Sequence, residues 1–380
     1  MTGCTLFDIE SSYGTIRAIF LFSFIGFYFA MINRSILLWK VPFFPTFPFF
    51  LIYASSFFAP YTNSLLVATM FFSLAICSAV LYNTLSTSSK PALQLHDFKL
   101  GFILVTFLNA GFAWLQVIGI FPTGLHTDIL YLGRPTGFFS EPNFLAIHLL
   151  IGIILLFSLA KTIERNLVIF ICMVALIFAT TRSTWIALIV ILPFLFYIKF
   201  REQRHLRSSV SRYSLLSAFF LLLILFASAS VFLQGDNFFA TRVDTIFQNQ
   251  SSDASKISRY KQWDGLLRLS EAAPWYGGGL TSSGRISLKG EYVTGVNPYF
   301  INNVGSNWIL SLWAEGKLLS IPLIAFFLFL IASLITNYFG LALMAVLICS
   351  LTSNTFWYSS TFALLAICLF QRHINVRKKF

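Results

Sequence analysis

Charge is what this 380-residue sequence has least of: Asp, Glu, Lys and Arg together make up 11%. A soluble domain carries about 25%, and a chain so short of charge cannot cover a water-facing surface. Acid is scarcer than base, 14 residues against 26. Cysteine is sparse too, and Cys77, Cys172, Cys349 and Cys368 stand inside apolar runs. No CxxC or Cys/His grouping accompanies them, so neither a disulfide framework nor a zinc site is expected. The first residues, Met1 to Thr15, lack a basic stretch and carry Asp8 and Glu10, so no cleavable signal peptide is expected. No GxxxxGK[ST] motif and no internal repeat occur.

What the sequence does have is length of apolar run. Hydrophobic residues reach 57% and the mean hydropathy is +0.78. The runs are about 20 residues each, enough to cross the roughly 30 Å hydrocarbon core of a bilayer. The expected fold is therefore an all-α polytopic membrane protein, a single integral membrane domain over 1–380, with about eleven spans (roughly ten to twelve). Apolar runs place them at 17–32, 43–59, 64–84, 99–121, 143–160, 166–181, 184–200, 214–233, 317–337, 339–353 and 359–371. Pro42, Pro45 and Pro48 crowd the start of the second.

Lys and Arg in the loops set sidedness. Two segments are plainly basic: Lys199, Arg201, Arg204, Arg207 and Arg212, and Arg372, Arg377, Lys378 and Lys379 at the C-terminus. Placing both in the cytoplasm fixes the rest by alternation and puts the whole formal net charge of +12 on that face. The basic balance then reflects membrane topology, and no nucleic-acid partner is expected. The same alternation makes 234–304 one long periplasmic loop between spans eight and nine. Loops of that length are uncommon unless functional. Within it, 256–272 reads as an amphipathic helix with Ile257, Tyr260, Trp263 and Leu267 on one stripe.

Four segments on the external side hold polar residues that a purely structural membrane protein would not need. The first runs from Gly133 to Asn143 and contains Arg134, Ser140, Glu141 and Pro142. Pro142 suits the first position of a helix, whose N-terminal N–H groups favour an anion. Arg134 offers a forked donor to the same anion, and Glu141 is the carboxylate placed for general-base work. The ordinary alternative is a loop arginine beside a carboxylate that satisfies the helix dipole. His148 lies two turns deeper on about the same face as Glu141, either as a functional intramembrane group or as a histidine bonded to a neighbouring helix.

The second segment, Thr180 to Trp185, is a short hairpin carrying Arg182. That arginine either snorkels beside Trp185 or pairs with a pyrophosphate headgroup. The third holds Arg259 and Trp263, four apart and able to stack, then Pro274, Gly277 and Gly279, whose glycines permit close backbone approach. Asp264 and Arg268 in it read as a surface ion pair. The fourth holds Asn302, Asn303, Ser306, Asn307 and Glu315. Ser306 or Asn307 suits a helix cap, and Glu315 either pairs with Lys317, caps, or serves a substrate.

These four segments, in this order, resemble the O-antigen polymerase and ligase superfamily (Wzy-type polymerases and lipid A core ligases) over roughly residues 100–335. The marks are Arg-x-x-Gly-Phe…Glu-Pro-Asn at 134–143, Thr-Arg-Ser at 181–183, Arg259-x3-Trp263…Pro274-x2-Gly277-x-Gly279, and Asn307…Glu315-Gly316. The resemblance implies a GT-C-like membrane glycosyltransferase in the bacterial inner membrane, with its C-terminus cytoplasmic and its active face periplasmic. It implies a donor glycan on undecaprenyl pyrophosphate, no cofactor and no metal, contact with membrane lipids, and a separate chain-length regulator as partner. By it Arg134, Arg182 and Arg259 hold the pyrophosphate, Arg259 and Glu141 form the catalytic pair, and Asn143, Trp263, Gly277, Gly279, Asn307 and Glu315 complete the substrate site. Ligases resemble His-Asn-x-x-Leu where this chain reads Ser306-Asn307-Trp308-Ile309-Leu310. The missing histidine favours the polymerase branch. The alternatives are a ligase-like transferase and a polysaccharide flippase or other transporter, although transporters commonly place charge at mid-membrane.

Overall fold

The computed structural model describes residues 9–11, 14–16, 43–62, 65–121, 134–139, 141–160, 162–204, 254–287, 289–294, 307–353, 356 and 359–377. The spans expected at 17–32 and 214–233, and much of the 234–304 segment, lie outside them. So do Ser140, Asn302, Asn303, Ser306, Arg207, Arg212, Lys378 and Lys379.

Among the described residues the chain is helical apart from a short antiparallel hairpin. Its strands β1 (Ile9–Ser11) and β2 (Gly14–Ile16) pair Glu10 with Thr15. The helices are α1 (Phe43–Ser55), α2 (Leu65–Thr87), α3 (Pro91–Val117), α4 (Pro142–Phe157), α5 (Ile163–Phe178), α6 (Arg182–Arg204), α7 (Ala254–Ala272), α8 (Trp308–Gly316), α9 (Ile321–Leu334), α10 (Tyr338–Cys349) and α11 (Ser359–Arg377). Prolines open α3 and α4, where the missing N–H costs nothing. Thr162, Asn307 and Asn337 cap α5, α8 and α10 through their side-chain oxygens. The proline-crowded second segment is helical from Phe43, with Pro48 inside it.

Four stretches, Leu65–Thr87, Pro91–Val117, Arg182–Glu202 and Trp308–Leu334, are long and apolar enough to cross a membrane. Shorter apolar helices lie at Thr46–Ser55, Pro142–Phe157, Tyr338–Cys349 and Ser360–Ile374. The span expected to begin at 317 starts differently: α8 ends at Gly316, Lys317 turns to φ +44, and α9 begins at Ile321 after one 3-10 turn.

Two helices sit at the centre. All but two residues of α4 are buried, and α10 buries Phe339, Leu341, Ala342, Leu343, Ala345, Val346 and Leu347. A helix apolar on every side belongs inside the bundle. Small buried residues on the packed helices, Ala146, Ala187, Ala342 and Ala345 among them, are of the kind that lets backbones approach closely. In lipid that close approach, together with interhelical hydrogen bonds, supplies the packing energy. Helix α10 packs on α4, α6, α9 and α11, and α11 runs beside α2.

Side-chain bonds fix two ends of the bundle. At one, Tyr338 at the start of α10 donates to Glu202 late in α6 at 3.0 Å. Tyr82 late in α2 meets His373 late in α11 at 3.1 Å, and Arg372 lies over the Phe329 ring of α9. Lys199 and Arg201 belong to this end. The opposite end gathers the C-termini of α3, α5 and α10 and the N-termini of α4, α6 and α8, and it carries the candidate site.

Candidate functional site

The 134–139 segment is held by amides of α3. Gln116 Oε1 accepts from the backbone N–H of Thr136 at 2.9 Å and of Gly137 at 2.8 Å. Asn109 Oδ1 accepts from Phe138 N–H at 3.1 Å. Both amides are buried, and seven residues apart they share a helix face. That spacing was visible in the apolar run 99–121 and is the signal by which sequence reasoning could have found them.

Arg134, set in place by this anchoring, donates Nε and Nη2 to the Ala179 carbonyl at 3.1 and 2.8 Å, and Nη2 to Thr181 Oγ1 at 3.3 Å. Ala179 follows the last residue of α5, where helix carbonyls lack partners within the helix. Thr181 in turn donates to Asn143 Oδ1 at 3.4 Å. Two segments nearly forty residues apart in sequence, 134–143 and 179–182, therefore meet at Arg134, Asn143 and Thr181, and Arg182 follows as the first residue of α6. Thr180, at φ +49, makes the reversal between α5 and α6.

Glu141 is the N-cap residue of α4 by position, half-buried, and its side chain makes no capping bond. His148 is fully buried against Phe102 and Phe139, with Nε2 at 3.3 Å from Thr106 Oγ1. It takes the bonded-histidine role between α3 and α4.

The cluster continues through α10. Cys349 Sγ lies 3.9 Å from Thr184 Oγ1 in the first turn of α6, and the Ser350 carbonyl accepts from Trp308 N–H at 2.9 Å. Asn307, just before it, caps α8 by accepting from Ile309 and Leu310 at 3.0 and 3.2 Å.

A second polar cluster forms at the other end of α8, about 12 Å along its axis. Gly278 and Gly279 donate their N–H groups to the Ala314 and Glu315 carbonyls, both at 2.9 Å. The close approach that the glycines permit is thus to the last turn of α8. Gly277 and Gly279 have φ +89 and +86, and a β-carbon on Gly277 would collide with the Glu315 carbonyl. Glu315 itself is 1% exposed. Its Oε1 accepts from Ser283 Oγ at 2.6 Å and Thr281 N–H at 3.2 Å, while Oε2 is buried without a partner. Lys317 donates instead to the Ala273 carbonyl at 2.9 Å. Glu315 therefore neither pairs with Lys317 nor caps its own helix; it holds the turn after the glycines.

That turn is braced again by Arg285, which sequence reasoning missed. Its guanidinium donates to the carbonyls of Tyr61, Thr62 and Val293 and stacks over Tyr292. Ser56 Oγ accepts from Leu280 N–H at 2.8 Å. The loop after α1 is thereby tied to the 277–293 segment. No periodicity reports a contact across more than two hundred residues.

The helix expected at 256–272 is α7, Ala254–Ala272. Leu266 and Leu269 pack on Ala314 and Leu310 of α8, so Arg259 and Trp263, both half-buried, stand on a helix joined to the second cluster. Tyr260 meets the Trp263 ring edge-on at 5.4 Å. The Asp264–Arg268 pair is an exposed 3.0 Å ion pair. Among the described residues no three His, Cys, Asp or Glu side chains converge as metal ligands.

Fold and site together define a multi-pass membrane protein whose buried polar contacts collect toward one end of a helical bundle. The family model described as O-Antigen ligase matches residues 167–316. Over that stretch the chain is similar to the O-antigen polymerase and ligase superfamily that the motifs pointed to, which supports a membrane enzyme of O-antigen or related surface-polysaccharide assembly. The match takes in Arg182, Arg259, Trp263, Gly277, Gly279, Asn307 and Glu315, and leaves Arg134, Glu141 and Asn143 outside. No curated protein matches the chain.

Proposed function

We propose that the protein is a polymerase that joins undecaprenyl-pyrophosphate-linked oligosaccharide repeats into O-antigen or a related surface polysaccharide at the periplasmic face of the inner membrane. In the reaction an acceptor hydroxyl of one repeat attacks the anomeric carbon of another. The new glycosidic C–O bond forms as the bond to pyrophosphate breaks. The hydroxyl proton passes to Glu141, and undecaprenyl pyrophosphate departs with the bonding electron pair. Negative charge develops on the departing group, and cations fixed beforehand lower that barrier most. Arg182 and Arg259 take this role, with Arg259 acting at the bond that breaks. Arg134 contributes from the same end while holding the 179–181 hairpin. Trp263 offers a face to sugar rings, and Asn143, Asn307, Gly277, Gly279 and Glu315 shape the surface around them.

The observation that carries this reading is the meeting of Arg134, Asn143 and Thr181 beside Arg182. Helix termini and an arginine-bearing hairpin converge there at one end of an apolar bundle, where an anionic headgroup of a membrane lipid can reach. Ser306-Asn307 in place of His-Asn favours polymerase over ligase. A flippase would need polar groups along a path through the bundle. The intramembrane His148 is instead packed between aromatic rings.

The test is a gel of surface and lipid-linked glycans from a host carrying Arg259→Ala, the intact protein, or a deletion. Single repeats transferred to their final acceptor in the variant and the deletion support the polymerase. Full-length polymer trapped on the lipid carrier means ligase. Normal glycan in the deletion removes both.

A further inference from the structure

A line of exposed apolar side chains runs up α9 and continues off its end. Phe329, Leu328 and Ile321 are 52%, 53% and 47% exposed, and Leu318 in the turn before the helix is 52% exposed. Ile321, Leu328 and Phe329 have the spacing of one helical face, and α9 is the apolar second part of a stretch, Trp308–Leu334, whose length and composition suit a membrane, so this face is read as turned to lipid. Beyond Leu318 the surface does not stop. Leu318 N–H donates to the Trp275 carbonyl at 3.3 Å, and Lys317 Nζ donates to the Ala273 carbonyl at 2.9 Å. These bonds seat the 273–276 turn at the head of the stripe. There Trp275 leaves 63% of its surface uncovered, with Tyr276 edge-on to it at 5.6 Å.

Single exposed apolar residues are ordinary. A tryptophan at the polar end of a lipid-facing stripe, next to a lysine held half-buried, has the composition of a membrane–water boundary, where an amphipathic ring and a cation both settle. We propose that Trp275, with Leu318 and Ile321, inserts into the interfacial layer of the phospholipid bilayer and anchors the 273–283 turn there. The occupant of this surface is lipid. Gly277 stands two residues from Trp275, so the glycine turn lies within about 7 Å of the anchor, by the reach of the chain. The second polar cluster, with Glu315 and the α7 helix that bears Arg259, is thereby set at phosphate depth, where a lipid-linked pyrophosphate is found. The anchor rests on the membrane-spanning reading of α9 and not on the polymerase reading.

The experiment needs no activity. Spin labels are attached at Trp275→Cys, Leu328→Cys and Glu271→Cys in protein reconstituted into phosphatidylethanolamine–phosphatidylglycerol vesicles. Collision rates with oxygen and with a water-soluble nickel chelate give depth, and unsubstituted protein supplies the background of native cysteines. The expected order is Leu328 deepest, Trp275 at the interface, and Glu271 in water. A label at 275 as open to the nickel chelate as one at 271 overturns the proposal, and so does one closed to both reagents, which would mean a protein contact. Brominated lipids provide a second measurement that keeps the native residue. The emission lost in Trp275→Phe should be the part quenched by bromines near the glycerol, and quenching of that part by acrylamide alone overturns the anchor. If glycan assays exclude a polymerase while these depths hold, the anchor stands and only the enzymatic reading falls.

Discussion

Replacing Glu315 by Ala isolates what the second cluster is for. The carboxyl is buried, and the two donors it accepts, Thr281 N–H and Ser283 O–H, are buried with it. Each buried donor left without an acceptor costs about 1–3 kcal/mol. The loss is therefore roughly 2–6 kcal/mol, before any gain from relaxing Thr281. That residue is held at φ +79, a left-handed conformation that costs a non-glycine residue about 1–3 kcal/mol and persists only where surroundings enforce it. Glu315→Gln keeps an oxygen where Oε1 now sits and retains both bonds, so its loss should stay near 1 kcal/mol.

Because stability is local, the effect should appear as opening of one segment. Hydrogen exchange followed by mass spectrometry reads it directly, on a peptide covering 277–290 in detergent or nanodiscs. In the Ala variant exchange there should speed up by roughly 30-fold to 10⁴-fold, the equivalent of that free energy, and stay within about tenfold of the native protein for Gln. Peptides from α4 and α10 should be unchanged in both. Equal exchange in the Ala and Gln variants would refute the reasoning, since it would mean that the two bonds at Oε1 do not hold the turn.

Two further substitutions probe the first cluster. Arg134→Lys retains the charge but cannot place Nε and Nη2 on the Ala179 carbonyl together; surface polymer should fall at least tenfold on glycan gels, and full polymer from this variant would show that charge alone suffices. Gln116→Leu strips the acceptor from two buried N–H groups of Thr136 and Gly137, for a loss of about 2–6 kcal/mol; the thermal unfolding midpoint should drop and Gln116→Glu should recover part of it, and an unchanged midpoint for Leu would sink the claim.

The bundle was legible because lipid imposes one rule on every residue in it. A backbone that cannot bond to water must bond to itself, so apolar length alone locates α2, α3, α6 and α9. The helix α7, the proline that opens α4 and the Asn307 cap were legible for the same local reason, but the face by which α7 packs was not: Ile257, Tyr260 and Leu267 of the expected stripe are exposed, and Leu266 and Leu269 make the contact. The break at Lys317 was not, since nothing in Gly316-Lys317 announces a left-handed residue; contacts of Lys317 with Ala273 and of Leu318 with Trp275 select it. Glu315 shows the same limit. A carboxylate two residues from a lysine reads as a pair, and only the folded chain reveals that Glu315 has its partners 32 and 34 residues earlier in sequence and Lys317 its partner 44 earlier.

The arginines separate along this line, and the separation bears on how the site works. Residue type and sidedness singled out Arg134, Arg182 and Arg259 together, because a guanidinium on the substrate side looks the same in sequence whatever it touches. In the fold Arg134 puts its fork on a helix-end carbonyl and on the threonine that precedes Arg182. An arginine used that way fixes the hairpin between α5 and α6, so its removal would displace Arg182 as well as subtract a charge. Arg285, which no motif marked, does the same for the 281–293 segment by holding Tyr61, Thr62 and Val293. Placing cations ahead of the reaction is what makes them effective at a developing phosphate charge. Two arginines spent on holding loops still are then part of the same design as those proposed to meet the substrate. Loss of polymer on substituting Arg134 or Arg285 should therefore be accompanied by faster exchange of the segment each one braces, and loss of polymer with unchanged exchange would show that the arginine acts on the substrate alone.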